Sequence, residues 1–212
     1  MSKLPLERIL TLAPVIAILT IERVADAVPL ARTLVDAGLP VLEVTLRTPV
    51  ALAAMRAIAD AVPEVVLGGG TVVHPEQFAQ VRDAGACFAV SPGSTPGLFS
   101  AARQSGLHYL PGVVTPSEAM ALAEQGLTYL KFFPAEPMGG IDTLRHYGRP
   151  LPHIRFCPTG GVTGANAADY LALDNVICIG GSWMAPLDAI AEGNWVRIGQ
   201  LARAAAALKP AR

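Results

Sequence analysis

Lysine is nearly missing from this chain. Three occur in 212 residues, and two of them, Lys3 and Lys209, sit within four residues of the ends, so the basic charge elsewhere is almost entirely arginine. Charge of either sign is sparse as well: charged residues make up 16 % and the formal net charge is −1. That balance gives a polyanion no basic field and a membrane surface no polybasic segment, which excludes nucleic acid as a partner. No apolar run reaches the ~18 residues of a spanning helix. The opening stretch MSKLPLERILTLAPV carries charge inside its apolar part and has no signal-peptide core, so a cytoplasmic protein is expected. Cysteine is limited to Cys87, Cys157 and Cys178, an odd number with no CxxC spacing. They read as buried thiols in a reducing compartment rather than a disulfide framework. The four histidines, His74, His108, His146 and His153, show no HxH or HxxxH spacing, and no acidic cluster accompanies them. No metal and no cofactor is expected. A GxSxG elbow is absent, as is a GxGxxG turn after the first strand, which removes serine hydrolysis and dinucleotide binding.

What is abundant is apolar residues, 52 % of the chain. With this length they suit one large domain with a substantial interior. The apolar residues recur in short runs, each followed by a Gly or Pro break and an Ala-rich amphipathic stretch. The runs are Pro14 to Thr20, Val41 to Leu46, Val65 to Thr71, Cys87 to Pro92, His108 to Val114, Tyr129 to Pro134, Ile154 to Thr159 and Val176 to Ser182. Their starts are separated by 27, 24, 22, 21, 21, 25 and 22 residues, a near-constant period. Helical patterns fall between them, including Arg23 to Ala37, Pro49 to Ala61, Pro75 to Ala84, Pro96 to Ser105, Pro116 to Glu124 and Ala165 to Leu171. Proline marks several starts, Pro186 included, and Gly38, Gly85, Gly106 and Gly126 mark several ends. Apolar strands alternating with helices imply a parallel sheet, and eight units favour a (β/α)8 TIM barrel over an open sheet. Residues 1–212 are read as a single barrel domain, with Leu4 to Leu12 as a short extra N-terminal helix across one end.

In such a barrel chemistry belongs at the carboxyl ends of the strands. Lys131 lies there, inside Tyr129-Leu130-Lys131-Phe132-Phe133-Pro134. Burial disfavours the charged form of an amine, and a neutral amine attacks carbonyls to form a Schiff base. The plainer alternative is a lysine whose stem packs on apolar neighbours while its head reaches water. Period-two alternation in the second run puts Val41, Glu43, Thr45 and Arg47 on the inner face and Leu42, Val44 and Leu46 against helices. A carboxylate and a guanidinium inside a barrel are expensive unless used or paired. Arg47 at the rim suits a clamp for a substrate carboxylate, or an ion pair with Glu43 that closes the mouth. Gly68-Gly69-Gly70-Thr71 lets a ligand approach backbone, or is simply a tight strand exit. Ser91-Pro92-Gly93 ends the fourth run and shapes the mouth. Thr159-Gly160-Gly161 and Gly180-Gly181-Ser182 end the seventh and eighth runs. Those are the two loops where barrels commonly hold phosphate, and a Gly-Gly pair beside a hydroxyl in each points to a phosphorylated ligand.

The strings Glu43-Val44-Thr45-Leu46-Arg47, Gly69-Gly70-Thr71, Tyr129 to Pro134, Pro158-Thr159-Gly160-Gly161 and Gly180-Gly181-Ser182 together resemble the 2-keto-3-deoxy-6-phosphogluconate (KDPG) aldolase family. These are class I, lysine Schiff-base aldolases of the Entner-Doudoroff pathway, and the resemblance runs from residue 10 to 190 in order and spacing. It implies that Lys131 forms the Schiff base and that Glu43 moves protons, in part through a water. Arg47 and Thr71 would hold the pyruvate part, Pro92 and Phe133 would line the pocket, and the Gly161 and Ser182 regions would bind phosphate. A hydroxyl at Thr159 implies gluconate rather than galactonate stereochemistry, with 4-hydroxy-2-oxoglutarate as a further substrate and a homotrimer as the typical assembly. An aldolase for the galactonate epimer, a phosphate-binding barrel epimerase in which Lys131 is only electrostatic, and a binding barrel without catalysis are the competing readings.

Overall fold

Nine short strands and ten helices alternate along residues 4–209, the part of the chain that the computed structural model describes. Lys3 lies outside it. The strands are β1 (Val15–Leu19), β2 (Val41–Thr45), β3 (Val66–Gly70), β4 (Phe88–Val90), β5 (His108–Leu110), β6 (Gly112–Val113), β7 (Tyr129–Phe132), β8 (Arg155–Pro158) and β9 (Ile179–Gly181). Every ladder among them is parallel. One sheet has the order β5-β4-β3-β2-β1-β9 and a second β6-β7-β8, an α/β fold whose sheet curls into a half-barrel.

The fifth apolar run differs from expectation. Rather than one strand it is two, because Pro111 has no N–H to donate and interrupts the ladder. Before the break β5 pairs with β4; after it β6 pairs with β7. The Pro111 carbonyl still accepts, from the N–H of Lys131 at 2.8 Å. The eighth run also regularises only in part. Ile179–Gly181 is strand, while single parallel bridges, Phe156 to Val176 and Thr159 to Gly180, join β8 to it.

Alternation along the strands sorts side chains into two clusters. The larger takes Val15, Ala17, Leu19, Leu42, Val44, Leu67, Ala89, Leu130, Phe132 and Phe156 from the outer faces and packs them on helices. The smaller takes Ile16, Val41, Phe88, Val90, Leu110 and Cys157 from the inner faces and joins them to Ile9 and Leu10 of the helix Leu6–Leu10. That helix covers the amino ends of the strands with apolar residues and leaves the carboxyl ends to the loops.

Proline punctuation holds at some helix starts and slips at others. Pro96 and Pro116 are first-turn residues of their helices, capped by the hydroxyls of Thr95 and Thr115, the latter in a full capping box with Glu118. Pro49 and Pro75 instead precede the helices Ala51–Ala61 and Gln77–Asp83 by two residues. Two long helices, Gly140–Gly148 and Trp195–Ala206, begin with no proline at all.

Candidate active site

Lys131 is the third residue of β7 and faces inward with Cys157 as its ladder partner on β8 and Gly112 on β6. It is 5 % exposed, whereas Lys209 is exposed. Glu43, 3 % exposed, comes from β2 in the other sheet, so the two side chains meet across the interior with Nζ and Oε1 3.5 Å apart. Glu43 therefore pairs with Lys131 and not with Arg47. The separation exceeds the ~2.7–2.9 Å of a charge-assisted hydrogen bond. Oε1 is buried without a hydrogen-bond partner among the described residues, an arrangement that costs stability unless a group with a proton comes to it. The ring of Phe133, two residues on, lies with its centroid 5.0 Å from Nζ and presents a π face to the ammonium.

The glycines around this pair stand where side chains of other elements need room. A side chain on Gly68 would enter the ring of Phe88, and one on Gly69 would strike Val81 of the helix outside. One on Gly70 would occupy the carboxylate of Glu43. The triplet thus makes room for side chains of neighbouring elements. The places that side chains on Gly180 and Gly181 would take are likewise filled, by Thr159 and by Trp183. Gly112 admits the carbonyl of Pro92, which sets half-buried Pro92 beside the strand next to Lys131.

Thr159 is 5 % exposed and stands level with Gly180 through their bridge, so the loops after β8 and β9 start side by side. Gly160 and Gly161 follow with φ of 96° and 82°, and Ser182 is exposed. Thr71 follows β3 directly with φ of 59°, the one non-glycine among the described residues in the left-handed region. A β-branched residue there is strained, and such strain gathers where function holds it. Arg47 is exposed in the turn after β2, past the end of the strand to which the alternation assigns it. It leaves β2 beside the exit of β3 that carries Thr71, because Thr45 pairs with Gly70, and neither Arg47 nor Thr71 is buried.

Other polar residues belong here that the sequence did not single out. Thr20, just past β1, places its hydroxyl 3.2 Å from that of Thr45, which itself donates to the Leu19 carbonyl at 2.9 Å. Thr20 is therefore the donor in that pair and keeps acceptor capacity at the mouth. A hydroxyl residue at a strand's carboxyl end was the available signal. Glu136, beyond β7, and Tyr170, in the helix Ala167–Leu171, are joined by a short hydrogen bond from phenol to carboxylate. Among the described residues no group of three or more His, Cys, Asp and Glu gathers as a metal site, and no helix is long and apolar enough to cross a membrane.

A buried amine facing a buried carboxylate at the carboxyl ends of parallel strands defines a carbonyl-handling enzyme of the lysine type. Comparison with known proteins narrows the class. The model of the KDPG and KHG aldolase family matches residues 6–201. The KHG/KDPG aldolase of Escherichia coli K12 is 50 % identical over 199 residues, which is 94 % of this chain and 93 % of that one. The KDPG aldolase of Legionella pneumophila, solved with pyruvate captured as a covalent carbinolamine, superposes with a TM-score of 0.94 at 42 % identity over 97 % of this chain and all of the other. That of Zymomonas mobilis with 3-phosphoglycerate gives 0.90 at 42 %, over 97 % and 96 %. The chain belongs to the KDPG and KHG aldolase family. It is an aldolase, and so a lyase.

Proposed function

We propose that this chain is a class I aldolase that cleaves 2-dehydro-3-deoxy-6-phosphogluconate to pyruvate and glyceraldehyde 3-phosphate, with Lys131 as the covalent residue. The observation that carries the reading is the buried Lys131–Glu43 pair, 3.5 Å apart, in which the carboxylate keeps an unused acceptor. The Lys131 amine adds to the C2 ketone, and loss of water from the carbinolamine leaves an iminium. Glu43, directly or through a water, takes the C4 hydroxyl proton. The C3–C4 bond then breaks with its electrons moving to C3 as an enamine, and the aldehyde leaves. Protonation at C3 and hydrolysis of the iminium release pyruvate and restore the amine.

The remaining residues divide the substrate between them. Arg47 and Thr71 hold the carboxylate of the pyruvate part, and Phe133 and Pro92 line the pocket. Gly160, Gly161, Gly180, Gly181 and Ser182 form the phosphate end, which their side-by-side position in two adjacent loops supports. Thr159 accompanies gluconate stereochemistry. The same lysine serves 4-hydroxy-2-oxoglutarate, a reading supported by the relative named for both substrates. The frame is a single (β/α)8 barrel over residues 1–212, the stitched sheets closing into one ring and the N-terminal helix covering its base. It works as a homotrimer in the cytoplasm, with no metal or cofactor.

Incubation with pyruvate and borohydride, followed by peptide mass analysis, tests the covalent step. A pyruvyl adduct at Lys131 is expected, and a Lys131→Ala protein should keep its fold and lose cleavage. Turnover retained in that variant would sink the Schiff-base reading in favour of epimerase-type chemistry. Rates on the gluconate and galactonate epimers settle which of the two this site accepts.

A further inference from the structure

Five residues after Lys131 the chain turns back over the loop that follows β8. The N–H groups of Ala135 and Glu136 donate to the carbonyls of Thr159 at 2.8 Å and Gly160 at 3.0 Å, which zips the two segments together. Glu136 then lays its stem on Gly161, where any side chain would lie 2.5 Å from Glu136 Cβ and Cγ. From the other side Asn166 donates its amide to the Gly161 carbonyl at 3.2 Å. One helical turn further on, the fully buried Tyr170 sends its hydroxyl back to Glu136 Oε1. Gly140 is shaped to admit this contact, since a side chain there would lie 2.7 Å from the Tyr170 hydroxyl and 3.1 Å from Glu136 Oε1. Burial, and then the hydrogen bond and charge of Glu136, push the phenol well above the ordinary tyrosine range, so it remains a donor at any working pH.

Glu136 is an exposed carboxylate, and an anion beside a proposed phosphate site is unfavourable unless its place there does something else. We infer that Glu136 and Tyr170 are positioning residues, a clasp that holds the Gly160–Gly161 loop at a fixed reach from Lys131 and so selects substrates by the distance from ketone to phosphate. The inference rests on the reading that those glycines hold the phosphate. Neither residue touches the reacting atoms. The clasp ties the segment that carries the nucleophile to the segment that carries the far end of the substrate, and the bond lies outside both.

Steady-state kinetics on Tyr170→Phe, Glu136→Ala and Glu136→Gln tests this, with the phosphorylated keto acid and unphosphorylated 4-hydroxy-2-oxoglutarate as paired substrates. The first two variants should raise KM for the phosphorylated substrate about tenfold, the scale of one lost hydrogen bond to a charged group, with kcat within about twofold. KM for the unphosphorylated substrate and borohydride trapping of pyruvate at Lys131 should not move. Glu136→Gln should restore wild-type behaviour, because a carboxamide oxygen also accepts from the phenol. Equal changes on both substrates, or no change on either, overturn the clasp. Inorganic phosphate as an inhibitor of the wild type separates the two failures. If it does not compete and the wild type shows no preference for the phosphorylated substrate, the phosphate reading falls and takes the clasp with it. If it competes and the variants keep their KM, the clasp alone is wrong.

Discussion

On the inner face of the strands the amino-terminal parts carry Ile16, Val41 and Phe88, packed in one cluster with Ile9 and Leu10, while Glu43, Lys131 and Thr159 lie further toward the carboxyl ends. Val41 and Glu43 are two residues apart on one strand, so the same alternation feeds both regions. Burial does not distinguish them. Val41 is 1 % exposed, Glu43 3 % and Lys131 5 %. What differs is that the lower layer is filled by its own apolar atoms, whereas the upper one holds charges that satisfy each other incompletely. The lower layer supplies stability that the upper layer consumes.

Making the upper layer resemble the lower one is the sharpest way to break this contrast. Lys131→Met alone leaves Glu43 buried and uncompensated, and should cost about 3–5 kcal/mol in denaturant unfolding. Combined with Glu43→Leu the loss should vanish or reverse, while cleavage is absent from both proteins. A double variant less stable than the single would mean that the pair is structural. The reverse experiment is Phe88→Ala in the lower layer. It should cost about 3 kcal/mol by opening a cavity, yet the folded protein should still form the pyruvate adduct at Lys131. Failure to form the adduct at temperatures where circular dichroism reports a folded chain would show that the layers are coupled.

The smallest effect concerns Cys87, which leads into β4 at the amino end. Burial pushes its thiol up to about 11 from 9.0, against hydrogen bonds involving its own backbone and Leu67. The fold thus favours the protonated form. Its contribution to stability is intact below pH 9 and is lost as pH rises through about 11. At pH 8 thiolate should be about a hundredfold scarcer than for an unburied cysteine, and iodoacetamide should label Cys87 correspondingly slowly in the native protein. Labelling at the rate of the unfolded chain would contradict it.

Much of this molecule is legible in its sequence because it depends on residues close together in the chain. The apolar runs, their period and the inward face of Glu43 and Thr45 all follow from local alternation. What is not legible depends on register. Nothing in the spacing of Gly68, Gly70 and Gly180 says that Phe88, Glu43 and Thr159 fill the places their side chains would take, since those partners lie on other strands. The alternation continues past Thr45 and so assigns Arg47 to the strand, but ladder pairing stops at Thr45. Pro111 is a visible interruption, yet only the pairing of β5 with β4 and β6 with β7 reveals that it divides one run between two sheets. Glu136 and Tyr170 are 34 residues apart, too far for any pattern to link.

The glycines that face Glu43, Thr159 and Glu136 constrain how such a protein can change over generations. Glu43 has Gly70 beside it, Thr159 has Gly180, and Glu136 has Gly161. A new side chain at any of those glycines collides with its partner, while a smaller partner leaves the space unfilled, so each step taken alone is penalised. Variation at this mouth must therefore move in coordinated pairs, a slow route compared with the freedom of Arg47 or Ser182 on the open rim. Divergence in what the enzyme accepts should accumulate first at the rim, and the chemistry should stay fixed far longer than the choice of substrate.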